Sequence, residues 1–178
     1  MFIRYNICLV KRGNEILLLN REAPSWMGCW NGVGGKLAPG EQPRASMIRE
    51  LQEETGIIDC DLKFKGVTTW TVDGKKTGGM YTYLAELPED LEYPAPVKTR
   101  EGILDWKTID WILHKENRGI ATGIQKSLRL ILQDGACYEY RCEYKEGRLV
   151  HFSSVKIDPA VEENEVLRDA LFQPEHVV

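Results

Sequence analysis

Residues 31–56 read NGVGGKLAPGEQPRASMIRELQEETG, a glycine-dense stretch that runs straight into a segment with a helical period. Four glycines within residues 31–40 fit neither a helix nor a strand. They predict a loop whose bare backbone can lie close to another group. The helix is predicted to begin near Gln42-Pro43, because proline is favoured in a first turn. It is predicted to end at Gly56, where glycine takes the left-handed cap conformation. Ile48, Leu51 and Thr55 recur at three and four and form the expected buried stripe. Glu50, Glu53 and Glu54 share one face beside it, at spacings where like charges repel by a few tenths of a kcal/mol per pair (roughly 0.2–0.5). Either solvent screens this trio or a cation sits among it.

Strand patterns surround the helix. Residues 2–11 and EILLLN are two strands joined at Gly13-Asn14, and REAPSWMGCWN is a structured loop. DLKFKGVTTWTVDG and GGMYTYLAELP form a hairpin around DGKKTGG. The loop PEDLEYPAPVKTREG then leads to the short strand ILDWK and the helical turn TIDWILH. IATGIQKSLRLILQDG is a second helix with Ile124, Leu128 and Ile131 as its stripe and Gly135 as its stop. ACYEYRCEYKEGRLVHFSSVKI alternates as a last hairpin turning at Glu146-Gly147, and VLRDALF in the acidic tail has the length of a short helix. Strands before and after one strong helix, without βαβ alternation, indicate an α+β fold: a sandwich built on a mixed sheet. Residues 1–135 form the expected domain. Residues 136–178 are a hairpin and tail packed on that domain or at a homodimer interface, since a strand added at an exposed edge favours association.

Composition removes several classes of function. A chain of 178 residues with 43% hydrophobic and 28% charged content has the profile of an ordinary globular domain with a full core. No apolar run approaches the roughly 20 residues of a membrane span, and the N-terminus meets Arg4, Asn6 and Lys11 too early for a signal-peptide core. The net charge is −4 and no basic cluster exceeds pairs such as Lys75-Lys76. Polymeric nucleic acid, which requires a cationic footprint, is therefore not an expected partner. The five cysteines include no CxxC pair, so neither a zinc site nor a secreted disulfide framework is indicated, and a reduced cytoplasmic protein is expected.

From Gly35 the sequence GKLAPGEQPRASMIRELQEETGI resembles the Nudix hydrolase signature G-x5-E-x7-R-E-U-x-E-E-x-G-U, with U apolar. Gly35, Glu41, Arg49, Glu50, Leu51, Glu53, Glu54, Gly56 and Ile57 fill its fixed places. The resemblance implies an α/β/α sandwich with a mixed sheet over the first domain, and a cofactor of Mg²⁺ or Mn²⁺. Physical chemistry agrees, because hard divalent cations take oxygen ligands and magnesium is held by a few carboxylates together with substrate phosphate. In the family pattern Glu50 and Glu54 are metal ligands with Glu53 in support, joined by the Gly34 carbonyl and by an acidic residue from a later loop, here Glu101. Glu53 and Glu101 are rival general bases. Arg49 is four residues from Glu53 and pairs with it. Arg21 and Lys36 resemble basic residues at the phosphates, which lie over Gly34, Gly35 and Lys36. The plain alternatives are a charged loop residue for Glu101 and an exposed ion pair for Arg21.

WNGVGGKL, residues 30–37, resembles the MutT-type 8-oxo-dGTP diphosphatases, where the asparagine lies near the base. Asn31 is accordingly a base-reading candidate. Asn117 stands in a place comparable to another base-reading asparagine, with turn formation as its plain alternative. Trp26 and Trp30 are candidates to wall a nucleobase pocket, whereas Trp70, Trp106 and Trp111 are expected in the core. The expected activity is hydrolysis of a nucleoside triphosphate to monophosphate and pyrophosphate, sanitising oxidised nucleotides such as 8-oxo-dGTP. Hydrolysis of ADP-ribose or dinucleoside polyphosphates is the competing enzymatic reading. A nucleotide-sensing module without catalysis is the non-enzymatic one.

Overall fold

The computed structural model describes residues 3–172, with Lys76 described by its backbone alone. Strands β1 (Tyr5–Arg12) and β2 (Glu15–Arg21) turn at Gly13 but pair with each other only near that turn, from Val10↔Leu17 to Arg12↔Glu15. Beyond it they diverge. β2 pairs along its whole length with β7 (Gly102–Thr108), while β1 runs parallel to β5 (Lys76–Leu87). The glycine segment fills the resulting wedge. β3 (Trp30–Asn31) pairs with β2. Cys8 and Val33 exchange backbone hydrogen bonds of 2.7 and 3.1 Å, and the Asn6 N–H donates to the Gly35 carbonyl at 3.0 Å. Only bare backbone fits here: a Cβ on Gly32 would lie 2.7 Å from the Cys8 carbonyl oxygen, and one on Gly34 would lie 2.5 Å from that of Asn6.

With β4 (Asp61–Val72), β6 (Val97–Lys98), β8 (Cys137–Lys145) and β9 (Arg148–Ile157), the strands form one sheet in the order β6-β7-β2-β1-β5-β4-β8-β9, with β3 beside β2. The β1·β5 and β4·β8 pairs are parallel and the others antiparallel, so the sheet is mixed as expected. Alternation along β1 and β2 sends side chains to two cores. Cys8, Val10, Leu17 and Leu19 meet α1 (Pro43–Thr55), whereas Ile7, Leu9, Ile16 and Leu18 meet α2 (Ile109–Leu113) and α3 (Thr122–Ile131). Helices on both faces make the sandwich. No helix among the described residues is long and apolar enough to cross a membrane.

Three sequence expectations need correction. Ile48 is 47% exposed; Met47, Leu51 and Thr55 carry the buried stripe at a spacing of four, with Ser46 buried beside them. Of the three tryptophans expected in the core only Trp106 packs against one; Trp111 is 39% exposed and half-buried Trp70 belongs to neither core. α3 ends at Ile131, capped by Leu132, and Gly135 (φ 67°) shapes the turn that follows. The α1 boundaries hold, with Pro43 at its start and Gly56 in the left-handed conformation (φ 74°) after its last residue.

The last hairpin extends the sheet. β8 lies parallel to β4, placing Cys137 in the α1-side core and Tyr138 and Tyr140 in the other. A bulge between Phe64 and Gly66 marks this contact, and Gly66 has φ 123° with a virtual Cβ only 1.9 Å from the Tyr138 carbonyl oxygen. Gly66→Ala is therefore expected to lower stability by roughly 2–4 kcal/mol in urea unfolding, through strain plus collision. A loss below about 0.5 kcal/mol, the range of surface substitutions, would contradict the β4·β8 pairing described.

Candidate active site

The glycine loop and α1 meet over a row of carboxylates. A Cβ on Gly35 would lie 2.6 Å from the Glu50 carboxylate, so the bare backbone lets Glu50 close against the loop. Glu54 reaches the same loop, one oxygen accepting the Gly34 N–H at 3.0 Å. Its other oxygen, Oε1, is buried with no hydrogen-bond partner. Burial is the main cause that pushes the Glu54 carboxyl up to about 8; the Gly34 bond opposes it and the charges of Glu101 and Glu50 add to it. Glu50 is also raised by burial, against the pull of Arg49.

Arg49 holds the row together. Its Nε and Nη2 donate to the two Glu41 oxygens at 2.9 and 3.0 Å, and its Nη1 donates to Glu50 at 2.8 Å and to Glu53 at 3.1 Å. The expected Arg49–Glu53 pair is present, but the bidentate partner is Glu41. That bond with Arg49 brings the Glu41 carboxyl down to about 2. Shared cationic charge offsets the repulsion that the glutamate spacing alone would create. Glu53 is the outermost member, with a side chain 60% exposed.

Asn6 completes the arrangement, and sequence reasoning gave it no role. Buried at 4% exposure, it donates from Nδ2 to the Ser46 hydroxyl of α1 at 2.9 Å and accepts the Gly35 N–H on Oδ1 at 3.0 Å. One amide thus ties the loop to the helix. The available signal was a lone polar side chain in the apolar run YNICLV.

From the facing side, Arg21 at the end of β2 lies 3.9 Å from the Glu101 carboxylate, and the Glu22 N–H bonds the Glu101 carbonyl at 2.9 Å. The Arg21 Nε is buried without a hydrogen-bond partner. Lys36 is exposed on the glycine loop. Asn31 accepts its neighbour Gly32's N–H on Oδ1 at 3.0 Å. The Asn117 amide is committed at both ends, donating to the Trp111 carbonyl at 2.8 Å and accepting the Gly119 N–H at 2.9 Å, which is turn-forming work. Its loop nevertheless pairs with β3 through Trp30 N–H to Gly119 O (2.7 Å) and Ala121 N–H to Trp30 O (2.9 Å), so Asn31 and Asn117 occupy adjoining segments. The Lys107 ammonium lies 4.2 Å from the Trp30 ring centroid, and Trp26 meets Tyr144 edge-on at 6.0 Å.

Among the described residues no three carboxylates, thiols or imidazoles are gathered closely enough to hold a metal ion by themselves. The site instead offers a partial oxygen set: an unpartnered buried Glu54 oxygen, Glu50 against the loop, and the Gly34 backbone. Such a set fits a hard cation whose remaining ligands are water and phosphate.

The NUDIX domain family profile matches residues 3–131. The chain belongs to the Nudix family. It is 30% identical over 108 residues to the uncharacterized Nudix hydrolase YvcI of Bacillus subtilis, covering 60% of this chain and 66% of that one. It is 43% identical over 54 residues to a Mycobacterium tuberculosis protein provisionally named 8-oxo-dGTP diphosphatase 2, covering 30% of this chain and 38% of that one. The crystal structure of the mutator MutT protein from Bacillus halodurans superposes with a TM-score of 0.70 at 25% identity, covering 86% of this chain and 97% of that one. Matches of similar length reach relatives named for CTP and ADP-ribose, so likeness in sequence does not by itself choose the substrate.

The Glu54 environment predicts a pH signature in the metal-free protein. Its folded-state pKa of about 8 stands above the ordinary 4.5, so between these values the unfolded chain releases a proton that the folded protein retains. This contribution to stability is full below about pH 4.5 and is lost as pH rises through 8. In EDTA, the melting temperature of Glu54→Gln is expected to gain on wild type from pH 5 to pH 8.5, and Mg²⁺ at pH 8 is expected to stabilise wild type selectively. Parallel melting curves at all pH values would contradict the buried, partnerless carboxyl.

Proposed function

We propose that this protein is a divalent-metal-dependent pyrophosphohydrolase that converts nucleoside triphosphates to monophosphates and pyrophosphate, with 8-oxo-dGTP as the favoured kind of substrate. The observation that carries the reaction class is the Glu54 carboxylate, anchored by the Gly34 N–H through one oxygen and left buried without a partner on the other. Glu50, Glu54 and the Gly34 carbonyl would hold Mg²⁺, or Mn²⁺ in its place, with Glu53 and Glu101 as supporting carboxylates. When bound, the metal neutralises phosphate charge and lowers the pKa of coordinated water. The chain does the rest by position. Arg49 fixes Glu41, Glu50 and Glu53 relative to one another, which makes it a positioning residue. Lys36 and Arg21 would present cationic groups to the phosphates, and either Glu53 or Glu101 would take a proton from the attacking water. The intact glutamate set favours an enzyme over a sensing module.

Base choice rests on the WNGVGGK segment and on the M. tuberculosis relative named for 8-oxo-dGTP. An asparagine amide offers both a donor and an acceptor, matching the O6 edge of an oxidised guanine and its altered N7 position. The Asn31 Oδ1 takes the Gly32 N–H on one lone pair and keeps a second for the N7–H of the base, while its NH₂ is available to O6. Five cysteines without a disulfide support a reducing, cytoplasmic location.

Glu54→Gln is expected to lower kcat by about 10²-fold or more in Mg²⁺ while leaving the fold intact; full activity at limiting metal would remove Glu54 from the metal set. Product analysis with 8-oxo-dGTP, dGTP, CTP, ADP-ribose and diadenosine polyphosphates tests the substrate. Asn31→Ala is expected to reduce kcat/KM for 8-oxo-dGTP about tenfold to a hundredfold more than for CTP. Equal losses would confine Asn31 to loop structure, and an absence of preference for 8-oxo-dGTP in wild type would leave a general nucleotide pyrophosphohydrolase.

A further inference from the structure

Beyond the residues matched by the family profile, a 3₁₀ turn (Pro159–Glu162) and α4 (Glu165–Ala170) pack at the start of α1. Val161 is buried in the α1-side core, and Leu167, Leu171 and Phe172 pack against it. Glu162, at 8% exposure, lies between α1 and the sheet. Its Oε1 forms an ion pair with the Arg44 Nε at 2.9 Å and accepts the Tyr83 hydroxyl at 3.1 Å, and its Oε2 accepts the Arg44 Nη2 at 3.0 Å. Arg44 also donates to the Leu62 carbonyl at 2.8 Å. The Glu162 carbonyl in turn accepts Arg168 at 2.7 Å, so α4 braces the turn that presents the carboxylate.

The position of this contact matters more than its strength. Arg44 is the second residue of α1, one turn after Glu41 and shortly before Arg49, the two residues that organise the carboxylate row. The helix start has little local anchorage: Gln42 at the cap makes no side-chain hydrogen bond, and the first turn holds no acidic residue. Further along, Asn6 grips Ser46, and the Tyr93 hydroxyl bonds the Thr55 carbonyl at 2.9 Å. The N-terminal end is gripped by Glu162.

We propose that Glu162 is a positioning residue for the reaction: through Arg44 it pins the N-terminal end of the metal-binding helix, making the C-terminal segment a clamp on the active site. This rests on α1 being the metal helix, as argued above, but the clamp itself is testable without metal or substrate. Glu162→Gln keeps the shape and removes the charge. Val161→Ala is the control, since it removes packing from the same turn and leaves the carboxylate in place.

In the full-length, metal-free protein, Glu162→Gln is expected to speed hydrogen–deuterium exchange about tenfold at amides 44–49, with little change at 52–55 or in β4 and β5. With Mg²⁺ and nucleotide, kcat is expected to fall about tenfold or more with KM nearly unchanged, because small displacements of catalytic groups are costly. Val161→Ala is expected to lower the melting temperature while leaving kcat near wild type. If Glu162→Gln does not fold, Tyr83→Phe supplies the same selective exchange test, with a smaller expected effect. Uniform acceleration across the fold, or kcat losses that track melting temperature in both variants, would reduce the segment to general support and overturn the clamp. Selective exchange in a wild type that hydrolyses no nucleotide would instead sink the proposed reaction and leave the clamp standing.

Discussion

The bare backbone of the glycine loop lets carboxylates of α1 close against it, and this steric condition underlies the site. Gly35 lets the loop between β3 and α1 lie against the Glu50 carboxylate at a distance that any Cβ would forbid, while Gly34, bare against the Asn6 carbonyl of β1, donates its N–H to Glu54. The loop in turn needs a gap in the sheet, which the divergence of β1 from β2 supplies. Asn6 then fixes the loop to the helix through two hydrogen bonds from one buried amide. Fold and site are consequences of a single close approach.

Charge is managed in two ways within that approach. Glu41, Glu50 and Glu53 share the Arg49 guanidinium, which sets one cationic group among three carboxylates. Glu54 does not share it. One of its oxygens is buried without a protein donor, and its carboxyl favours the protonated form at neutral pH because ionising there is costly. A divalent cation would reverse that balance, since a positive charge beside a carboxylate favours its ionised form. The crowded glutamates are thus held in two ways: Glu41, Glu50 and Glu53 by the Arg49 guanidinium, and Glu54 by the Gly34 N–H.

Local features were legible in the sequence, and long-range ones were not. The loop, the helix ends at Pro43 and Gly56, and the hairpin turn at Glu146-Gly147 are set by neighbouring residues, and all appear as read. The buried stripe was misread because spacings of three and four admit either Ile48 or Met47, and only the sheet beneath decides between them. Asn6 and Glu162 escaped notice because their partners lie 40 and 118 residues away, at Ser46 and Arg44. The parallel pairing of β8 with β4 depends on Gly66, whose glycine looks unremarkable within a strand until Tyr138 is brought against it. Asn117 was legible as a turn former and does that work, while its nearness to Asn31 comes from backbone pairing that no local pattern encodes.

If α1 and the glycine loop form a divalent-cation site with Glu54 as its key ligand, Mn²⁺ binding in the absence of nucleotide must depend on Glu54. The most direct measurement is titration of Mn²⁺ into the protein without nucleotide, following free Mn²⁺ by electron paramagnetic resonance in wild type, Glu54→Gln and Glu143→Gln, the last a substitution on the distant strand β8. Saturable binding is expected in wild type and Glu143→Gln, with binding weakened at least about tenfold in Glu54→Gln. Equal Mn²⁺ binding by all three proteins would contradict this assignment.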